Sequence, residues 1–145
     1  LLDANGMHEM TGSSDAPDEA VGPLERYLYE PDGAVIRARL IGDLARALDA
    51  HPIAEQIAYL SANEMRQTPF ARAFKVDALL PIDVKTIAAE LSSRGIGALE
   101  IKKRGVDIDP AEFRKKLKLA GSGSAVLILT RVGEERKALL THRVD

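Results

Sequence analysis

The sequence contains no cysteine and no tryptophan, and its only aromatic residues are three tyrosines and three phenylalanines. Without cysteine, a disulfide framework, a zinc site built on thiolates and a thiol nucleophile are all excluded. The three histidines, His8, His51 and His142, lie far apart and match no metal-binding spacing. No apolar run approaches the ~20 residues that a membrane-spanning helix needs, and no segment resembles a signal peptide. These absences predict a cytoplasmic protein without a metal site or a membrane partner.

The composition is that of one globular domain, with 46% hydrophobic and 29% charged residues in a chain of 145. Charge is unevenly distributed along the chain. Arg26 is the only basic residue among the first 32, which include eight acidic ones, whereas residues 94–118 contain eight basic residues and four acidic ones. An acidic start before a basic body is found in proteins with anionic partners, and it equally forms an ordinary solvated surface.

The N-terminal residues differ in character from the rest of the chain. Leu1–Met10 is typical of a β-hairpin, with Asn5-Gly6 as its two-residue turn. Residues 11–23 are polar, acidic and rich in Gly, Pro and Ser, which predicts a linker. We therefore expect residues 1–23 to be the hairpin remnant and acidic linker of a missing N-terminal domain, and residues 24–145 to form the domain present here.

The hydrophobic pattern predicts an α/β fold, with α+β as the alternative. A long helix is expected over residues 32–50, capped by Asp32 and apolar on two sides, so that its second stripe needs a further partner. That stripe consists of Ile36, Leu40, Leu44 and Ala47. The helix is followed by a short strand at residues 57–61 and by a mixed sheet with a β-α-β-α-β-β core. The core strands are expected at residues 71–79, 98–104, 125–130 and 137–143, with one helix ended by Gly95 and the next capped by Asp109.

One surface of the predicted fold is a candidate functional site. No glycine-rich turn precedes a helix, so no cofactor site and no catalytic residue is assigned to this chain. Basic residues do cluster on a strand and on the helix that follows it, joined by only five residues, and they are expected to merge into one patch. Such a patch would neutralise phosphates without reading bases; the alternative is a solvated face. Its members are Lys102, Lys103, Arg104, Arg114, Lys115 and Lys118.

The order of short motifs along the chain resembles that of a known family. The motifs are YLYEPD (27–32), AVIRA (34–38), AYL (58–60), TPF (68–70), RGIG (94–97), IKKRGV (101–106), Asp109-Pro110 with Arg114, and LILTR (127–131). From about residue 24 to about residue 140, the chain resembles the THUMP-like C-terminal domain of bacterial class I S-adenosylmethionine-dependent methyltransferases.

The resemblance implies a non-catalytic accessory domain. It places S-adenosylmethionine in a missing N-terminal Rossmann-like methyltransferase domain, and it implies an RNA substrate, because THUMP domains proper bind RNA. The motif at residues 102–105, with Arg114, becomes the candidate substrate-facing surface, and Glu30 and Pro31 become the candidate interdomain hinge. The alternative is a docking domain that buttresses the methyltransferase half without touching nucleic acid. A third hypothesis is that the chain is a stand-alone enzyme.

Overall fold

A computed structural model of the chain describes residues 20–144 and the backbone of residues 2–3 and 6–7. The two N-terminal pieces are β1 (Leu2–Asp3) and β2 (Gly6–Met7), which pair antiparallel. The predicted hairpin is confirmed for these residues, but Gly6 pairs with Asp3 and therefore lies in the second strand, outside the turn. Of the predicted linker at residues 11–23, residues 11–19 fall outside the described residues, and residues 20–23 are in no helix or strand.

Seven strands of the described chain form one mixed sheet in the order β4-β5-β3-β6-β9-β8-β7, in which only β7 and β8 are parallel. The predicted mixed sheet and its β-α-β-α-β-β core are confirmed. Strands β3 and β4 were not predicted, because five and two residues are too short to show an alternating pattern. The strands are β3 (Tyr27–Pro31), β4 (His51–Pro52), β5 (Leu60–Ala62), β6 (Ala71–Pro81), β7 (Ile96–Lys103), β8 (Gly123–Val132) and β9 (Glu135–Arg143).

The prediction of one long helix over residues 32–50 is wrong, because the segment forms two helices. They are α1 (Gly33–Arg37) and α2 (Ile41–Leu48). Between them Arg39 takes a left-handed conformation, with φ of 59°. The Leu40 amide then donates back to the Val35 carbonyl, and the Arg39 amide donates to the Ile36 carbonyl, which closes α1 with a Schellman motif. Val35 and Leu40 belong to one hydrophobic cluster, whose packing fixes this break.

Sequence signals for the other helix ends are confirmed. Asp32 accepts a hydrogen bond from the Ala34 amide at 2.8 Å, and Asp109 accepts one from the Ala111 amide at 2.9 Å. Gly95 follows α3 (Val84–Ser93) with a positive φ of 66°, and Asp109 opens α4 (Pro110–Lys115). No helix in the described part of the chain is long and apolar enough to cross a membrane.

The two faces of the sheet are covered by different elements. On one face, which we call the helical face, α3 and α4 pack through Ile87, Leu91 and Phe113. On the opposite face, residues 53–59 pack on strand residues that include Phe74, Val126 and Ile128. Strand β8 therefore alternates between two cores, and residues 126–130 are all buried, as their continuous apolar run predicts. Helices α1 and α2 complete the helical face near β3 and β5.

The sheet is strongly curved toward the face that residues 53–59 cover. Lys102 of β7 contacts Glu30 of β3 at 3.0 Å, although β6, β9 and β8 lie between these two strands. In a flat sheet, four strand spacings of about 4.8 Å would separate them by about 19 Å, which exceeds the reach of the two side chains. We call this side the concave face. By alternation along the strands, it also carries Arg72, Glu100 and Arg143.

Candidate nucleic-acid interface

Two of the six predicted basic residues already neutralise carboxylates of this chain. The Lys102 ammonium contacts both carboxylate oxygens of Glu30, at 3.0 and 3.3 Å, and only 20% of its side chain is exposed. Lys115 donates to Glu112 at 3.1 Å on the surface of α4. The remaining four form no ion pair with a carboxylate in residues 20–144, and we call them the unpaired cations. They are Lys103, Arg104, Arg114 and Lys118.

The six residues do not form one continuous patch. Lys102 projects onto the concave face, whereas α4 packs against the helical face through Phe113 and Leu117. Helix α4 therefore presents Lys115 on the other side of the sheet from Lys102, and Lys118 follows the helix directly after Leu117 of the same cluster. Arg114 connects the two sides, because it lines an open groove together with Glu100 of the edge strand β7.

Arg104 is positioned by a buried tyrosine. Its guanidinium lies 5.7 Å from the centre of the Tyr59 ring, which is only 1% exposed, so the residue has a cation–π contact and keeps its charge exposed. Burial, and secondarily the charge of Glu30, raises the pKa of the Tyr59 phenol to about 12, against the opposing effect of Arg104. The next residue, Gly105, has a φ of 76°, and a Cβ there would lie 2.5 Å from Ile57. A glycine is therefore required for the chain to turn away directly after Arg104.

The groove lined by Arg114 lies between the edge strand β7 and strand β9, and we call it the concave groove. Its volume is about 670 Å³, within the range of small-ligand sites. Small side chains leave the backbone of the strands accessible, with Ala98 and Ser124 both exposed. Its lining residues are Ala98, Leu99, Glu100, Arg114, Ser124, Ala125, Val126, His142 and Arg143.

A charged pair is fixed at the centre of the concave groove. Arg143 donates to Glu100 at 2.6 Å, and its guanidinium lies 5.6 Å from the centre of the Phe74 ring. This hydrogen bond lowers the pKa of the Glu100 carboxyl, and the charges of Arg143, Lys102 and Arg72 lower it further against the effect of burial. Glu100 is therefore ionised at neutral pH. Its other carboxylate oxygen lies 4.0 Å from the Lys102 nitrogen, too far for a hydrogen bond.

Comparison with known proteins gives the chain a family. Residues 71–143, which run from the start of β6 to the end of β9, match the THUMP domain-like family. The chain belongs to this family.

Relatives of the THUMP-like domain are longer proteins. Two proteins of Mycobacterium tuberculosis, each named as an uncharacterized S-adenosylmethionine-dependent methyltransferase, are 37% identical to it over 125 residues. The match covers 86% of this chain but 34% of each relative, so the chain spans about a third of their length. A crystal structure of a proposed methyltransferase from Porphyromonas gingivalis shares the fold, with a TM-score of 0.68 and 21% identity over 87% of this chain and 32% of that one.

Two arginines of this THUMP-like domain that were not predicted act on Glu100: Arg143 lines the concave groove and contacts Glu100, and the charge of Arg72 lowers the pKa of the Glu100 carboxyl. Arg72 and Arg143 lie on β6 and β9, which are adjacent in the sheet. Arg72 lies two residues before the buried Phe74 of β6, and Arg143 lies two residues after the buried Thr141 of β9. These local patterns indicate only which face each arginine shares with its buried neighbour. Their proximity to Glu100 depends on the strand order, which no local pattern encodes.

The candidate hinge residues lie inside the seven-stranded sheet. Glu30 and Pro31 are the last two residues of β3, paired with Arg72 and Ala71 of β6. Pro31 is buried, and Glu30 holds the ion pair with Lys102. This gives both residues a structural role within the sheet, and their role as an interdomain hinge stays a prediction. Among residues 20–144, no group of three potential metal-ligating side chains is found.

Proposed function

We propose that this THUMP-like domain is the non-catalytic accessory domain of an S-adenosylmethionine-dependent methyltransferase, and that it binds the RNA substrate of that enzyme through phosphate contacts. The names of the two mycobacterial relatives support the methyltransferase part of the proposal. Because the chain spans about a third of their length, the cofactor would be held in a Rossmann-like domain outside this chain.

The observation that carries the RNA part is the group of unpaired cations. A lysine that already contacts a carboxylate, as Lys102 and Lys115 do, gains little from a phosphate, because its single ammonium must give up the first partner. An arginine has five N–H donors and can serve two partners at once. An exposed cation without such a partner neutralises a phosphate directly and releases condensed counterions. Lys103, Arg104, Arg114 and Lys118 meet this condition within residues 20–144. Their contacts would orient an RNA strand without reading its bases.

A specific observation also favours the docking role. Of the second apolar stripe, Leu44 is buried, Ile36 and Leu40 are half-buried, and Ala47 is exposed. Apolar area that stays accessible on α1 and α2 suits a contact with another domain. Because this surface lies on different elements from Arg104 and Arg114, the two roles are separable by mutation.

The decisive experiment measures methyl transfer by the longer methyltransferase that contains this domain. Radiolabelled S-adenosylmethionine is supplied with total RNA or with protein extract, using the wild type and the Arg104→Glu/Arg114→Glu variant. We expect labelling of RNA that the variant loses, because the acceptor is no longer held. The matched control is Lys85→Glu/Arg136→Glu, which makes the same charge change at exposed positions of α3 and β9. Labelling of protein alone, or RNA labelling that the first variant retains, would contradict the proposal.

A further inference from the structure

The concave groove combines two kinds of group that a site for a bare phosphate would not combine. Arg114 and Arg143 supply guanidinium donors, and Arg114 has no carboxylate partner within residues 20–144. Glu100 places an ionised carboxylate beside Arg143 at 2.6 Å, with 48% of its side chain exposed. A carboxylate repels a phosphate, so its presence in an anion site needs a separate reason.

The free oxygen of Glu100 supplies that reason. One oxygen accepts from Arg143, and the other has no hydrogen-bond donor within residues 20–144, since Lys102 is 4.0 Å away. An ionised carboxylate is an acceptor only, so it binds ligand groups that carry an O–H or N–H. The groove therefore fits a ligand with a negative charge and a neutral donor directly beside it.

We propose that the concave groove binds one ribonucleotide of an RNA strand, with the phosphate on Arg143 and Arg114 and the ribose 2′-hydroxyl donating to Glu100. This rests on the proposed function, in which the ligand is RNA. The phosphodiester and the 2′-hydroxyl occupy neighbouring positions of the ribose, as Arg143 and Glu100 occupy neighbouring positions in the groove. The exposed Ala98 and Ser124 leave space for the sugar in a volume of about 670 Å³.

The charge around the groove supports an anionic ligand. Arg72 and Lys102 both lower the pKa of Glu100, which places them close to it, and Arg114 and Arg143 line the groove itself. Against these four cations stand three carboxylates: Glu100, Glu30, which is the partner of Lys102, and Asp77, which contacts the groove residue His142 at 2.7 Å. The groove is therefore net positive although it holds a carboxylate, which lets it attract a phosphodiester and still select for the sugar.

The test compares the affinity of the chain for an RNA oligonucleotide and for its 2′-deoxy counterpart of the same sequence. We expect the wild type to prefer RNA about tenfold, the effect of one hydrogen bond to a partly exposed charged group. Glu100→Ala should reduce the preference to within about twofold and strengthen DNA binding, because Arg143 is released for phosphate. The matched control is Glu90→Ala, which removes a carboxylate paired with Arg94 at 2.9 Å on α3.

The outcomes separate this inference from the proposed function. If RNA binding depends on Arg104 and Arg114 but Glu100→Ala leaves the RNA preference unchanged, the ribonucleotide site is wrong and the proposed function stands. If the wild type distinguishes oligonucleotides by their bases and not by their sugar, the ribose contact is wrong as well. If the chain binds neither oligonucleotide, both proposals fall together. Arg143→Ala should weaken binding of both oligonucleotides, because the phosphate in the groove loses one of its two guanidinium contacts.

Discussion

Replacing Arg104 and Arg114 with glutamate should nearly abolish RNA binding while leaving the fold intact. Four unpaired cations that each neutralise one phosphate of a single strand give a log–log slope of affinity against salt of about −2.8. The wild-type affinity then falls about fifty-fold between about 50 and 200 mM salt. The double variant leaves two of these cations, Lys103 and Lys118, and adds two repulsive charges, so its slope should be no steeper than about −1.4. Fluorescence anisotropy of a labelled single-stranded RNA across this salt range measures the affinity and the slope for the wild type and for the double variant.

Stability provides the internal check on this prediction. Neither arginine has a carboxylate partner within residues 20–144, so the loss comes mainly from the contacts of Arg104 with the Tyr59 side chain, of which the cation–π contact contributes about 0.5–1 kcal/mol. For a domain of this size the Tm should fall by no more than about 4 °C. The Lys85→Glu/Arg136→Glu control should bind RNA with a slope close to that of the wild type. Unchanged RNA affinity in the Arg104→Glu/Arg114→Glu variant at the lowest salt would refute the reasoning and favour the docking role.

Three further predictions concern the concave face and the cofactor. Lys102→Met should lower the free energy of unfolding by about 1–3 kcal/mol, because it leaves the largely shielded Glu30 carboxylate without its cation. The Glu30→Gln/Lys102→Met double variant should recover most of this loss, and urea titrations of both variants measure it. The pKa of Tyr59 is raised from 10.0 to about 12, so the stability that its neutral phenol contributes should be complete below pH 10 and should disappear as the pH rises through 12. Urea midpoints measured between pH 10 and 12 should therefore decline less steeply for Tyr59→Phe than for the wild type. The isolated chain should give no heat beyond dilution when titrated with millimolar S-adenosylmethionine, and a saturable micromolar isotherm would contradict the accessory-domain proposal.

Much of the fold could be predicted because its signals are local. Asp109 followed by Pro110 specified the start of α4, and the continuous apolar run of β8 predicted a strand covered on both faces. The break between α1 and α2 escaped prediction because the left-handed position holds Arg39, whereas the usual signal for such a position is glycine. The packing of Val35 and Leu40 in one hydrophobic cluster holds the chain in this break. The helical spacing of apolar residues in the sequence does not show such tertiary packing.

The candidate site was predictable only in part, because its charges find partners far along the chain. Lys102 is separated by 72 residues from Glu30, and Arg143 by 43 residues from Glu100. A sequence identifies a cluster of basic residues, but it does not show which of them are already neutralised. The predicted cluster therefore contained two paired lysines, and it omitted Arg72 and Arg143, which enter the site through the strand order.

The strand order also determines how the sheet ends. One edge is β4, which has only two residues, includes Pro52 without an amide hydrogen, and is covered where the Gly22 amide donates to the Pro52 carbonyl at 2.9 Å. The other edge, β7, is longer, but it is curved and carries charged side chains at Glu100, Lys102 and Lys103. Short, covered, curved or charged edges are those to which another strand adds poorly. Both ends of the sheet are thus protected against edge-to-edge aggregation, and the domain can expose a groove on its concave face without offering neighbouring molecules a strand to extend.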